Sequence, residues 1–191
     1  VGATNAIYYM GRALINEGDV ILCEAPTFLG TLVVFDALKA DVQSIPMDHE
    51  GIDLNRLAAK VTELRAAGKN LKFVYTIPDF QNPAGISMSL RRRHELLKFC
   101  SEQGLLIMED NPYSRLRFTG EALPTLYYIA HNELHDPELV TEIVSFSKIL
   151  GPGMRVAYAK GHPELIHKMV SWQQKVNVSP DCVTQRVAAE F

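Results

Sequence analysis

The chain has 191 residues, of which 47% are hydrophobic and 21% are charged. This composition predicts a soluble globular protein with one sizeable core and excludes a disordered chain. The net charge of −3, from 19 basic and 22 acidic residues, provides no global basic field that would attract nucleic acid or an anionic membrane. We therefore expect small-molecule chemistry.

Helix and strand patterns alternate along the chain. Apolar residues at helical spacing predict helices over 4–16, 28–38, 54–67, 90–103 and 163–175, with another beginning at Asp181. Short apolar runs predict strands over 20–23, 42–45, 72–76, 105–108, 143–145 and 155–158. Near-continuous apolar strands separated by helices are typical of a mainly parallel sheet that is covered on both faces. The sequence therefore predicts a three-layer α/β/α fold.

The two ends of the chain lie inside helical patterns. Val1 is not an initiator methionine, and the pattern at 188–191 stops without a C-cap. We expect the chain to be part of a longer protein.

The three cysteines, Cys23, Cys100 and Cys182, are far apart and show no C-x-x-C spacing. This pattern is more typical of buried reduced thiols than of disulfides or a zinc site. We therefore predict that the protein has no metal site.

No basic leader segment precedes the first helix. Together with the reduced thiols, this predicts a cytoplasmic protein.

Three of the predicted strands are followed by polar segments, 78–85, 109–113 and 145–155. In parallel sheets, ligands bind at the carboxyl ends of the strands, so these segments are expected to meet in one site. A basic cluster, Arg91 to Arg93, lies elsewhere. Because Leu96 and Leu97 occupy the opposite helical face, we expect the three arginines to face solvent.

Segment 145–155 points to a specific chemistry. Lys148 follows two hydroxyls, those of Ser145 and Ser147, and Arg155 lies seven residues further on. A lysine becomes a covalent catalyst when a carbonyl cofactor is held against it, and hydroxyls with a guanidinium bind phosphate. The pattern suggests a phosphorylated aldehyde, pyridoxal 5′-phosphate.

Five motifs, in order, resemble those of the fold-type I, pyridoxal-phosphate-dependent aminotransferases of class I/II. They are Gly2-Ala3-Thr4, Pro26-Thr27-Phe28, Gln81-Asn82-Pro83-Ala84-Gly85, Glu109-Asp110-Asn111-Pro112-Tyr113 and the segment from Ser145 to Arg155. The variant is most similar to the branch of 2-aminoadipate, kynurenine and aromatic aminotransferases, which also includes the aminotransferase-like domains of MocR-type regulators. The resemblance implies that 1–191 is an incomplete large domain. It places the N-terminal arm and the small domain, with the arginine that grips the substrate carboxylate, outside this sequence.

The resemblance also implies roles for individual residues. Lys148 would form the Schiff base with the cofactor and move a proton during catalysis. Asp110 would pair with the pyridine nitrogen and keep it protonated. Asn82 and Tyr113 would hydrogen-bond the 3′ oxygen, and Phe28 would stack on the ring.

Several elements would share the phosphate. The resemblance assigns Arg155, Ser145 and Ser147 to it, together with the helix start at Ala3 and Thr4. Ala3 stands where relatives commonly have a serine, so this loop would contribute only its backbone and Thr4.

The resemblance implies an aminotransferase that moves an amino group from an L-amino acid to a 2-oxo acid and works as a homodimer. Two alternatives remain open: the effector domain of a MocR-type regulator, and a pyridoxal-phosphate-dependent lyase. Individual residues also have plainer interpretations. Lys148 could be a surface charge, Asp110 a helix cap, Asn82 a turn residue and Gly2-Ala3-Thr4 only a helix start.

Overall fold

A seven-stranded sheet forms the centre of the structure, a computed structural model that describes residues 2–179 and 181–190. Its strands are β1 (Val20–Ala25), β2 (Asp41–Asp48), β3 (Gly51–Ile52), β4 (Leu71–Thr76), β5 (Leu106–Asn111), β6 (Val140–Ser145) and β7 (Ala157–Lys160). The strand order is β3-β2-β1-β4-β5-β6-β7. The five inner strands pair in parallel, whereas β3 and β7 are antiparallel to their neighbours.

Helices cover both faces of this sheet. The α-helices in the described part of the chain are α1 (Ala3–Leu14), α2 (Leu29–Ala37), α3 (Leu54–Ala66), α4 (Leu90–Gln103), α5 (Leu126–Asn132), α6 (Pro163–Asn177) and α7 (Cys182–Glu190), of which α7 has no buried residue. Apolar residues of α1, α2 and α6 pack on one face, and those of α3, α4 and α5 pack on the other. The predicted three-layer α/β/α fold with a mainly parallel sheet is confirmed.

Alternating side chains of the strands divide the core in two. In β4, Phe73 and Tyr75 face α1 and α2, whereas Val74 faces α3 and α4. Phe35 of α2 contacts both aromatic rings edge-on, with centroid distances of 5.7 Å. Burying such a large apolar side chain contributes about 1.5–3 kcal/mol, so the two-sided burial of the sheet is the main stabilising term.

Local residues determine where α3 and α4 begin and end. Asp53 accepts hydrogen bonds from two backbone amides of the first turn of α3, and Ser89 accepts one from Arg92 at the start of α4. Gly104 ends α4 in the left-handed conformation, with φ of 60°. Such caps are readable in the sequence. The prediction for α4 is therefore correct to the residue, and the prediction for α3 is one residue too long.

The strand ends differ from the prediction in ways that affect the site. β5 continues to Asn111, so Glu109 and Asp110 belong to the strand and point to opposite faces of the sheet. Glu109 accepts hydrogen bonds from the first backbone amides of α5, whereas Asp110 lies on the other face. β7 begins two residues later than predicted. Neither α5 nor the two-residue strand β3 was predicted.

The arginine cluster also differs from the prediction that all three side chains face solvent. Arg91 is exposed, but Arg92 and Arg93 are buried. The guanidinium of Arg93 donates hydrogen bonds to three backbone carbonyls and lies 3.0 Å from a carboxylate oxygen of Asp79. Because the positive charge is paired and its donors are satisfied, it can lie in the interior beneath loop 78–88.

The cysteines only partly match the expectation of buried thiols. Cys23 and Cys100 are buried, and burial raises the pKa of Cys100 to about 12. Cys182 is exposed on α7, so the prediction was wrong for this residue. No helix of the part of the chain described here has the length and apolar character needed to cross a membrane.

We predict that Arg93→Met destabilises the chain by about 3–5 kcal/mol, because the buried carboxylate of Asp79 then loses its closest partner. The matched control is Arg91→Met, which removes an exposed guanidinium and is expected to change stability little. Urea denaturation of both variants measures the difference. Equal stability of the two variants would contradict the buried role of Arg93.

Candidate active site

The three polar segments meet at the carboxyl ends of the strands around a cavity of about 220 Å³. Its lining comprises Ala3, Thr4, Ile7, Phe28, Ile77, Asn82, Asp110, Pro112, Tyr113, Ser145, Ser147, Lys148, Pro152 and Arg155. The structure thus brings together all ten residues that were predicted for the site. The sequence did not indicate the apolar wall formed by Ile7 and Ile77.

Lys148 lies on the turn that follows β6. Hydrogen bonds from the amides of Leu150 and Gly151 to the carbonyl of Phe146 close this turn, at 2.9 and 3.2 Å. The hydroxyl of Ser145 accepts a hydrogen bond of 3.2 Å from the amide of Ser147. Within the described part of the chain, the ammonium group of Lys148 has neither a hydrogen bond nor an ion pair. Its amine is accordingly presented to the cavity without a competing carboxylate.

Asp110 is the buried carboxylate of the site. One oxygen, Oδ2, accepts a hydrogen bond of 2.7 Å from the hydroxyl of Tyr75. The other oxygen, Oδ1, is buried and has no hydrogen-bond partner among the described residues. Burial raises the pKa of Asp110 to about 6, although the hydrogen bond from Tyr75 lowers it. A cationic N–H donor would satisfy Oδ1 and favour the charged carboxylate.

Asn82 and Tyr113 come from different loops and form a polar pair. The side-chain amide of Asn82 donates to the hydroxyl of Tyr113 at 3.2 Å. The Asn82 loop folds back on itself, since the amide of Met88 donates to the carbonyl of Pro78 at 2.7 Å. Both side chains line the cavity, where each can donate a hydrogen bond to a ligand.

A buried carboxylate that the sequence analysis missed connects two of the loops. Glu24, near the end of β1, accepts hydrogen bonds from the amide of Ile77 and the side chain of Gln81, at 3.2 and 3.1 Å. Gln81 also donates to the carbonyl of Pro26 at 2.8 Å. The loop that carries Phe28 is thereby tied to the loop that carries Asn82. Burial raises the pKa of Glu24 to about 7, against the lowering effect of its donors.

The phosphate end of the predicted site is built by Arg155 and the start of α1. The guanidinium of Arg155 donates to the hydroxyl of Ser147 at 3.3 Å and to the carbonyl of Pro152 at 3.2 Å. A Cβ atom at Gly2 would lie only 2.7 Å from Nη2 of Arg155, so only glycine permits this approach. Gly2 offers no side-chain cap, which leaves the first amides of α1 to attract an anion.

Phe28 forms a side wall of the cavity and is 38% exposed. A Cβ atom at Gly30 would lie 2.6 Å from its ring, so glycine at this position permits the ring to lie over the start of α2. An exposed ring face beside a cavity can stack on a planar ligand.

These features fit pyridoxal phosphate. The free oxygen of Asp110 suits a protonated ring nitrogen, the Asn82–Tyr113 pair suits the 3′ oxygen, and Lys148 suits the aldehyde. Arg155 and the first turn of α1 suit the phosphate. The fold and the site together define a pyridoxal-phosphate-type domain.

The profile of the family "Aminotransferase class I and II" matches residues 1–191. The chain therefore belongs to this family, and the resemblance inferred from its motifs is confirmed. It is 38% identical over 191 residues to aromatic-amino-acid aminotransferase 1 of Thermococcus litoralis, covering all of this chain and 44% of the relative. A more distant relative, 27% identical, is an uncharacterized HTH-type transcriptional regulator of Bacillus subtilis; the match covers all of this chain and 37% of the regulator.

Solved structures agree with this assignment. The α-aminoadipate aminotransferase of Thermus thermophilus, complexed with N-(5′-phosphopyridoxyl)-L-leucine, superimposes with a TM-score of 0.92 and 34% identity. That match covers 99% of this chain and 47% of the solved one. The chain thus spans less than half the length of these relatives.

We predict that the stability conferred by Glu24 depends on pH. Its pKa is higher in the folded chain, at about 7, than its ordinary value of 4.5, so folding favours the protonated form. Relative to Glu24→Gln, the wild type is most stable below pH 4.5 and loses on the order of 3 kcal/mol as the pH rises to about 7. Urea denaturation of both proteins across this pH range measures their free energies of unfolding. The difference between the two values isolates Glu24, because the other titrating groups are the same in both proteins. Parallel pH profiles would contradict the prediction.

Proposed function

We propose that this chain is the cofactor-binding part of a pyridoxal-phosphate-dependent aminotransferase, which moves an amino group from an L-amino acid to a 2-oxo acid. One observation carries the proposal: a buried carboxylate oxygen of Asp110, which has no hydrogen-bond partner among residues 2–179 and 181–190, shares a cavity with Lys148 and Arg155. Family membership supports the same activity. The match to only part of each relative supports the proposal that 1–191 is one domain of a larger protein.

Bound pyridoxal phosphate supplies an electron sink for the bond that breaks at the substrate Cα. Lys148 would hold the cofactor through Nζ and would move the proton at the substrate Cα. Asp110 would hold the proton on the ring nitrogen. Asn82 and Tyr113 would donate to the 3′ oxygen, and Phe28 would cover one ring face.

Several groups would hold the phosphate and so position the ring. Arg155 would contribute a charged donor, Ser145 and Ser147 hydroxyls, and the first turn of α1 at Ala3 and Thr4 its backbone amides.

We also propose a cytoplasmic homodimer. The free thiols of Cys23 and Cys100 support a reducing compartment. Leu29 and Val33 lie one turn apart on α2 and are 71% and 61% exposed, which supports contact with a second copy.

The similarity to the Bacillus subtilis regulator keeps a second function open, that of an effector domain which binds the cofactor to sense a ligand. Two measurements separate the possibilities. DNA binding by the full-length protein, without amino transfer, would favour the regulator. Release of ammonia from an amino acid would favour a lyase.

We predict that the full-length protein transfers amino groups from a panel of L-amino acids to 2-oxo acids, and that Lys148→Ala lowers this rate by about 10²–10⁴-fold or more. Asp110→Asn should also lower the rate strongly while the protein stays folded, because the ring nitrogen loses its anionic partner. Lys168→Ala, which removes an exposed lysine on α6, is the control and should transfer at the wild-type rate. Wild-type rates in Lys148→Ala would refute the proposed function.

A further inference from the structure

Tyr75 lies behind the cavity and is fully buried on β4. Its hydroxyl donates to Oδ2 of Asp110 at 2.7 Å and accepts a hydrogen bond of 3.0 Å from the hydroxyl of Thr31. Thr31 is itself buried, in the first turn of α2. A chain of three buried polar groups therefore runs from α2 to the carboxylate of the site.

The register of the sheet explains this contact. Tyr75 pairs with Met108 of β5, so its side chain lies on the same face as Asp110, two residues further along. Phe35 packs edge-on against the ring of Tyr75, at 5.7 Å and 84°. The phenol is therefore held between a neighbouring strand and α2 and has little freedom to turn away.

The two hydrogen bonds that link Thr31, Tyr75 and Asp110 can run in only one direction. A tyrosine hydroxyl has one proton, and an ionised carboxylate can only accept. Because the hydroxyl of Tyr75 donates its hydrogen bond to Asp110, the hydroxyl of Thr31 must donate a hydrogen bond to that of Tyr75. Burial raises the pKa of Asp110 to about 6. The donor at Oδ2 acts in the opposite direction, because it stabilises the charged carboxylate.

We propose that Tyr75, oriented by Thr31, is a positioning residue for Asp110: it fixes Oδ2 so that Oδ1 meets the cofactor's ring nitrogen, and it keeps the carboxylate charged. The proposal rests on the proposed function, since the ring nitrogen belongs to pyridoxal phosphate. It adds two residues that do not line the cavity to the groups on which the chemistry depends.

Four other ionisable groups of the described residues lie near Asp110 or next to Tyr75. Tyr113, Lys148 and Arg155 line the same cavity, and Cys23 of β1 lies next to Tyr75. Burial raises the pKa of Tyr75 well above 10 and that of Cys23 above 9, so both stay neutral near pH 7. Replacing Tyr75 by phenylalanine removes the donor to Asp110 without changing any charge in this group.

The test is the affinity of the full-length apoprotein for pyridoxal phosphate, measured by equilibrium dialysis as a function of pH. The wild type is compared with Tyr75→Phe, Thr31→Val and the control Tyr9→Phe. Tyr9 is also a buried tyrosine, but its hydroxyl bonds Asn5 and Asn177 rather than Asp110. Asp110→Asn shows the affinity that remains without the carboxylate.

We expect Tyr75→Phe to bind about fivefold more weakly at pH 6 and about tenfold more weakly below pH 5, the factors that correspond to a rise of one unit in the pKa of Asp110. The difference should close about two pH units higher, where Asp110 is ionised in both proteins. Thr31→Val should show a smaller loss with the same pH dependence, and Tyr9→Phe should match the wild type. In the double variant Tyr75→Phe, Thr31→Val, the second substitution should cause no further loss of affinity, because Thr31 acts through Tyr75.

A Tyr75→Phe curve that matches the wild type would overturn the proposal, as would a loss of equal size at every pH, since that reports packing rather than charge. Independent, additive losses in the double variant would overturn the role of Thr31. If Tyr75→Phe fails to fold, the pH dependence of Thr31→Val decides in its place. Wild-type protein that binds no pyridoxal phosphate, or an Asp110→Asn variant that binds as the wild type does, would overturn the proposed function as well.

Discussion

The candidate site depends on a carboxylate that is buried at the end of a parallel strand. A carboxylate without water is costly unless donors surround it. In the described part of the chain, Tyr75 donates to one oxygen of Asp110, and the other oxygen has no hydrogen-bond partner. The protein therefore carries a site that is electrostatically incomplete by itself and that a cationic ring N–H would complete. The same cost explains why the carboxylate lies on β5, where the sheet fixes its position, and not on a mobile loop.

Other buried polar groups serve the same arrangement. Glu24 and Gln81 hold two loops together, and Arg93 supports the loop that carries Asn82. Arg155 reaches the start of α1 because residue 2 is a glycine. Parallel pairing brings these loops to one edge of the sheet, and hydrogen bonds among buried groups then set their relative positions. Apolar burial supplies most of the stability, whereas the polar interior determines where the ligand-binding atoms lie.

Sequence patterns predicted the layers well, because apolar runs and caps are local. Ser89 and Gly104 define α4 in the sequence as clearly as in the structure. The ten site residues followed from motif resemblance. Tyr75 and Thr31 were missed because they are 44 residues apart and lie within apolar segments, where nothing local marks a polar contact. Arg93 was assigned to solvent because helical periodicity treats charge as exposed, whereas its partners come from loops that only the fold brings near.

We propose above all that Lys148 is the residue that binds pyridoxal phosphate covalently, beside Asp110 and Arg155. Borohydride reduction of the full-length protein loaded with the cofactor, followed by peptide mass spectrometry, tests it directly. We expect one pyridoxyl group per chain, on Lys148. A modified lysine elsewhere in the protein, with Lys148 unmodified, would contradict it.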